Sequence, residues 1–185
     1  MTPNRTPPTL GFVAYSGTGK TTLLTRVIPL LREAGLRVAL IKHAHHNFDI
    51  DTPGKDSHRL REAGAEHVMI ASRGRWVWMA ETPDQDEARL ADLLDRLGDL
   101  DVDLILIEGF KHERYPKIEL RREELDNPRL YPEDPDIIAV ASDGPLDPAT
   151  DLPRLDLNDP AAIADFIVSR LRDGDRPGQH PEAVA

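Results

Sequence analysis

The chain has 185 residues, of which 39% are hydrophobic and 30% charged, a composition that suits a folded domain with a sizeable core and excludes a disordered or fibrous chain. A formal net charge of −10 argues against nucleic acid and anionic membrane as partners, since both call for a basic face. The lack of cysteine excludes disulfides and thiolate metal sites, no apolar run reaches the roughly 18 residues of a membrane span, and MTPNRTPPT has no apolar centre of the signal-peptide kind; these features fit a cytoplasmic protein.

Residues 1–9 carry three prolines and few apolar side chains and read as a loose arm. Leu10 to Ala14 (LGFVA) is a short apolar run expected to form a buried strand. From Lys20 the period changes: Leu23, Leu24, Val27, Ile28 and Leu31 recur at helical spacing, predicting a helix to about Ala34 with Gly35 as its stop and Pro29 as a candidate kink. RVALIK (37–42) is a second strand, and HAHHNFDIDTPGKDS a long polar loop broken by Pro-Gly. SHRLREAGA predicts a short helix, HVMIAS and RWVWMAE a hairpin around Arg73 and Gly74, and Asp84 to Leu97 an amphipathic helix. DVDLILIEGF is a continuous apolar run ending in an acid, as in a central parallel strand. KIELRR and DIIAVASD are further strands, Pro160 to Arg172 a last helix, and 173–185 a disordered tail. The alternation predicts one α/β domain over 10–172: a mostly parallel sheet, helices on both faces, and an antiparallel hairpin extension.

AYSGTGKTTLL lies between the first strand and the first helix. It matches the phosphate-loop pattern G-x-x-x-x-G-K-[ST] with Ala14 in place of the first glycine, a substitution that fits if its φ stays negative. Ser16, Gly17, Thr18, Gly19 and Thr22 would wrap the anion with backbone N–H groups at a helix N-terminus. Lys20 would reach the β- and γ-phosphates, and Thr21 would place a hydroxyl on Mg²⁺. That context predicts a P-loop nucleotide site. A Mg-nucleotide site also needs an acid, and Glu108 stands at the C-terminal end of the most apolar strand, with Gly109 letting the chain turn close to phosphate. Glu108 is the candidate metal-side or water-side acid and, with Lys20, the candidate catalytic pair; Asp103 is weaker because it begins that strand.

The segment KHAHHNFDIDTPGKDSHR concentrates His43, His45, His46, Asp49, Asp51 and Asp56. Its spacing matches no standard zinc pattern, so a switch-like loop is preferred to a transition-metal site. In that reading Asp49 or Asp51 meets Mg²⁺ through water, and Lys42, Lys55 or Arg59 meets an anionic ligand.

GFVAYSGTGKTTLL, IKHAHHNFDIDTPGKDSHRLREAGA and LILIEGFKHERYPKIELRR, in that order over Leu10 to about Ser142, resemble the MobB family of molybdopterin-guanine dinucleotide biosynthesis adapters. Asn47 and His58 depart from the commonest family form, which has an acid and an aromatic there. The resemblance implies a P-loop GTP-binding adapter in the cytoplasm, with GTP and Mg²⁺ as cofactors, weak GTPase activity, a homodimer, and the guanylyltransferase MobA as partner, with molybdopterin as a further ligand. By position it implies that Gly17 to Thr22 form the nucleotide loop, Glu108 and Gly109 the second nucleotide motif, and Lys42 through Asp56 the ligand-facing loop. Two other functions share the loop. A small-molecule kinase would need an arginine lid, for which ELRREEL is a poor candidate; a metal-delivery GTPase is favoured only by the histidines.

The apolar RWVWMAE strand adds a reason to expect a dimer, since an uncovered edge of this kind invites pairing. For the base, IIAVASD ends in Asp143, where a carboxylate can accept from guanine N1–H and the N2 amine. Asp143 is equally placed to open an Asp-Gly turn, and Ala141 and Ser142 stand where an Asn-Lys pair usually precedes such an aspartate.

Overall fold

A computed structural model describes residues 7–44, 49–82 and 87–173. The elements in chain order are β1 (Thr9–Val13), α1 (Lys20–Glu33), β2 (Val38–Lys42), α2 (Asp56–Glu62), β3 (His67–Ala71), β4 (Trp76–Ala80), α3 (Leu90–Leu97), β5 (Leu104–Glu108), β6 (Lys117–Arg121), β7 (Ile137–Ser142), β8 (Arg154–Asp156) and α4 (Pro160–Arg172). Two compact units divide the chain: one holds 44–89, the other everything else.

In the larger unit six parallel strands run in the order β2-β5-β1-β6-β7-β8. The chain steps outward from β1 to β2 on one side and from β6 to β8 on the other, so the order reverses beside β1, at whose C-terminal end ligands collect in such sheets. One face is closed by α1 and α4. Leu10 and Phe12 of β1, Leu104 and Leu106 of β5, and Ile118 and Leu120 of β6 meet Leu24, Val27 and Leu31 of α1 and Ile163 and Ile167 of α4. Each such fully buried side chain contributes about 1.5–3 kcal/mol. On the other face Ile105, Ile107 and Ile41 pack with Phe110, Tyr115 and α3. The predicted fold class therefore holds.

Several boundaries differ from the sequence reading. β1 begins at Thr9, and the Pro8 carbonyl accepts from Ile105 N–H at 2.9 Å, so the end of the expected arm is already tied to the sheet. α1 runs unbroken through Pro29, which lies on its exposed side. α3 starts at Leu90, not Asp84: 87–89 are not helical, and 83–86 lie outside the described residues. β8 was not anticipated, because Arg154–Asp156 offers no apolar run.

Lys117 and Glu119 of β6 point to the second face and are each 1% exposed. Both are compensated. Lys117 pairs with Asp134 at 2.7 Å; Glu119 accepts from the N–H groups of Leu130 and Tyr131 and from Arg121. Burial pushes the Glu119 carboxyl above its ordinary range, against the pull of those donors. These contacts pin the 127–136 segment over the sheet.

The smaller unit contains α2 and an antiparallel hairpin, with Met69 opposite Trp78 and Ala71 opposite Trp76. The expected hairpin is present, its turn closed by Ser72 N–H to the Arg75 carbonyl at 2.7 Å.

The β5–β6 connection, 109–116, crosses the face of β1 with no helix of its own. Tyr115 lies so close to Gly11 that a Cβ there would sit 2.2 Å from its Cε2. Gly11→Ala is therefore expected to lower stability by about 1–3 kcal/mol through overpacking, measured as a shift of the urea midpoint at constant m-value.

Candidate functional site

The loop between β1 and α1 turns on two left-handed glycines, Gly17 (φ 83°) and Gly19 (φ 96°), the latter being the N-cap of α1. Among the described residues only Phe110 has positive φ without being glycine, so Ala14 takes the ordinary conformation its Cβ requires. The first N–H groups of α1, at Lys20, Thr21 and Thr22, have no partner four residues back within the helix. Ser16 and Thr22 are exposed; Thr18 is buried and donates its hydroxyl to the Tyr15 carbonyl at 2.9 Å. The loop is thus shaped by its own backbone, with donors at its mouth.

Lys20 folds back over the loop and donates to the Ala14 carbonyl at 2.9 Å and the Tyr15 carbonyl at 3.5 Å. Burial lowers its pKa, Glu108 opposes this, and the positive charges of Lys42 and Lys111 lower it further. An arriving anion would offset that repulsion. Lys111 also lies over the Tyr15 ring, 4.8 Å from its centroid.

Glu108 is buried at the end of β5, flanked on both sides. The Thr21 hydroxyl donates to its Oε1 at 3.4 Å, and Lys42 Nζ stands 3.5 Å from its Oε2. Register produces this: Glu108 is level with Phe12 of β1 and with Lys42 of β2. Beyond it Gly109 (φ 103°) turns the chain where a Cβ would come within 2.7 Å of His43 Cβ. Phe110 (φ 49°) then stacks on the His43 ring at 4.3 Å. Thr21, Lys20, Lys42, Glu108 and Gly109 are brought together within one unit.

Asp49, Asp51 and Asp56, the acids named in the polar loop, belong to the smaller unit. Asp49 accepts from Arg61 at 2.6 Å and from its neighbour Asp51 N–H at 2.9 Å. The Asp51 N–H first, and Arg61 second, hold its carboxyl below the usual range. Asp51 accepts from Thr52 N–H and the Ser57 hydroxyl, while its Oδ2 is buried without a partner. Among the described residues no group of three His, Cys, Asp or Glu side chains is arranged to hold a metal ion. His45, His46 and Asn47 lie outside the described residues.

Asp143 follows β7. Its carboxylate accepts from Glu123 N–H at 2.8 Å and from Arg122 at 3.0 Å. Arg122 also donates from Nε to the Thr18 carbonyl at 3.1 Å. Sequence reasoning passed over Lys111 and set Arg122 aside as part of a poor lid. Lys111, three residues beyond Glu108, was within reach of a motif reading; Arg122 becomes visible only once β6 is known to lie beside β1.

A sequence model described as "Molybdopterin guanine dinucleotide synthesis protein B" matches residues 9–143. The chain is 51% identical over 166 residues to the molybdopterin-guanine dinucleotide biosynthesis adapter protein of Escherichia coli K12, covering 89% of this chain and 94% of the relative. With the Haemophilus influenzae adapter of the same description identity is 46%, covering 91% and 92%. Among solved structures, a molybdopterin-guanine biosynthesis protein B superposes with a TM-score of 0.71 at 31% identity, covering 89% of this chain and 99% of the other. A MobB homologue from Bacillus stearothermophilus gives 0.68 at 26%, covering 89% and 98%.

Proposed function

Because the chain belongs to the molybdopterin guanine dinucleotide synthesis protein B family, we propose that it is a GTP-binding adapter in molybdopterin-guanine dinucleotide biosynthesis, with weak GTPase activity, working beside the guanylyltransferase MobA. The observation that carries the nucleotide reading is the pairing of Thr21 with Glu108 beside Lys20 at the N-terminus of α1. A hydroxyl and a carboxylate on one side and a lysine on the other form the donor set that a Mg-triphosphate needs.

In this reading the N–H groups of 17–22 hold the phosphates, and Lys20 leaves the Ala14 carbonyl for the β- and γ-phosphate oxygens. Lys42 and Lys111 add charge at the triphosphate end. Thr21 and Glu108 would hold Mg²⁺, which supplies charge neutralisation across the β- and γ-phosphates when bound. Glu108, buried and near the loop, also orients the attacking water. Asp143 accepts from the guanine edge at the end of β7. Neither arginine of ELRREEL is on a loose arm, since Arg121 is held by Glu119 and the Asn127 and Pro128 carbonyls, and Arg122 by Thr18 and Asp143; this favours the adapter over a kinase.

We place a homodimer contact on the hairpin. Its face of Met69, Trp76 and Trp78 is exposed, with Trp76 at 61%, and both edges of the two-stranded sheet are open among the described residues. A lone two-stranded sheet is marginal in water, and a second copy can supply both the missing strands and the apolar cover.

Titration with GTP in Mg²⁺ tests the reading. Lys20→Ala is expected to weaken GTP at least tenfold, about 1.4 kcal/mol, and to abolish stimulation of guanylyl transfer by MobA; unchanged affinity would remove the cradle. Glu108→Gln is expected to spare GTP binding and depress hydrolysis, whereas wild-type turnover would make Glu108 structural. Light scattering at micromolar concentration is expected to return the mass of a dimer, and a monomer would contradict the hairpin contact.

A further inference from the structure

The sequence before Asp143 lacks the residues that would tie a guanine-reading aspartate to the phosphate loop. Ala141 and Ser142 occupy those places, and both are buried in β7. The strand order supplies a substitute. β6 lies between β1 and β7, so the residue that leaves its C-terminal end stands between the phosphate loop and the turn after β7. That residue is Arg122.

Its guanidinium spans the gap. Nε donates to the Thr18 carbonyl at 3.1 Å, and Nη1 to Asp143 Oδ2 at 3.0 Å. Nη2 lies 3.7 Å from the position a Cβ on Gly19 would take. The other Asp143 oxygen, Oδ1, accepts from Glu123 N–H at 2.8 Å, so two donors fix the plane of that carboxylate. Arg122, Asp143, Glu123 and Glu124 line an open surface cleft of about 440 Å³. A surface ion pair of ordinary kind contributes little. This one differs in geometry: the Arg122 side chain is 30% exposed and its planar fork engages the phosphate loop and the β7 turn, two elements on different strands.

We propose that Arg122 is the positioning residue of the base cleft: its hold on the Thr18 carbonyl anchors a guanidinium that fixes the Asp143 carboxylate for a guanine edge. The inference rests on the reading of the chain as a GTP binder. It predicts that purine discrimination is lost when Arg122 is changed even though the triphosphate is still held. A role confined to loop support or to net charge would weaken every triphosphate alike.

The test compares GTP, ATP and inorganic tripolyphosphate by titration calorimetry in constant Mg²⁺, for the wild type, Arg122→Lys, Arg122→Ala, Asp143→Asn and the Arg122→Ala/Asp143→Asn double variant, each checked for an unchanged melting temperature. Arg122→Ala is expected to cut the GTP-over-ATP preference at least about fivefold while tripolyphosphate affinity moves no more than about twofold. Arg122→Lys, which keeps charge and stem, is expected to fail as a replacement because a point charge cannot span both acceptors. The double variant is expected to lose no more preference than Asp143→Asn alone, as for residues acting as a unit. Equal weakening of all three ligands, or an unchanged GTP-over-ATP preference with GTP still bound, would overturn the role of Arg122 and leave the GTP reading standing. A wild-type chain that binds no GTP would overturn both.

Discussion

The site depends on parallel register. Glu108 is level with Phe12 on one side and with Lys42 on the other, so the ends of β1, β5 and β2 deliver the loop, the acid and a lysine at one height. A slip of one residue would turn Glu108 to the opposite face of the sheet and part it from Thr21. The same strand is buried on both faces: Leu104 and Leu106 meet the helices on one, while Ile105 and Ile107 meet Phe110 and Tyr115 on the other. Core packing and site chemistry are thus two results of one alignment.

The electrostatics follow from the same row. The chain as a whole carries −10, yet three lysines, at 20, 42 and 111, converge on the mouth of the loop with Glu108 among them. Their mutual repulsion and the burial of Lys20 are costs of the free site. Backbone carbonyls absorb part of that cost by accepting from Lys20, and the Tyr15 ring takes Lys111. A compact anion at the mouth of the loop would relieve what remains. A net negative chain with a local cluster of lysines fits the proposed compact phosphate ligand better than nucleic acid.

Much of this was legible in the residues. The loop, the first helix, the apolar strand ending in Glu108 and the hairpin are local patterns, and local patterns survive folding when the core enforces them. β8 escaped because three residues at a sheet edge need no apolar signature. The start of α3 was placed too early because acids and a glutamine resemble a helical first turn in composition. The Arg122–Asp143 pair was hidden because it depends on which strand lies beside which: the two meet only through the β1-β6-β7 order, which periodicity does not specify. Gly11 was unremarked for the same reason, since its need for a missing side chain arises from a connection that returns across it.

That connection has a consequence for cooperativity. Residues 109–116 join β5 to β6, the two neighbours of β1, and fasten themselves at both ends: the Tyr115 hydroxyl donates to the Gly109 carbonyl, and the Pro116 carbonyl accepts from Gly11 N–H. β1 is therefore enclosed by a strap as well as by two strands. It cannot leave the sheet by local fraying while the strap is closed, and the strap cannot lift without exposing Tyr115 and Phe110. The three strands are expected to open as one unit in hydrogen exchange, with β1 at its most protected centre. The loop between β1 and α1 is anchored directly to that centre, so the most flexible-looking part of the sequence, a run of glycine, serine and threonine, is tethered to the strand expected to be the slowest to open.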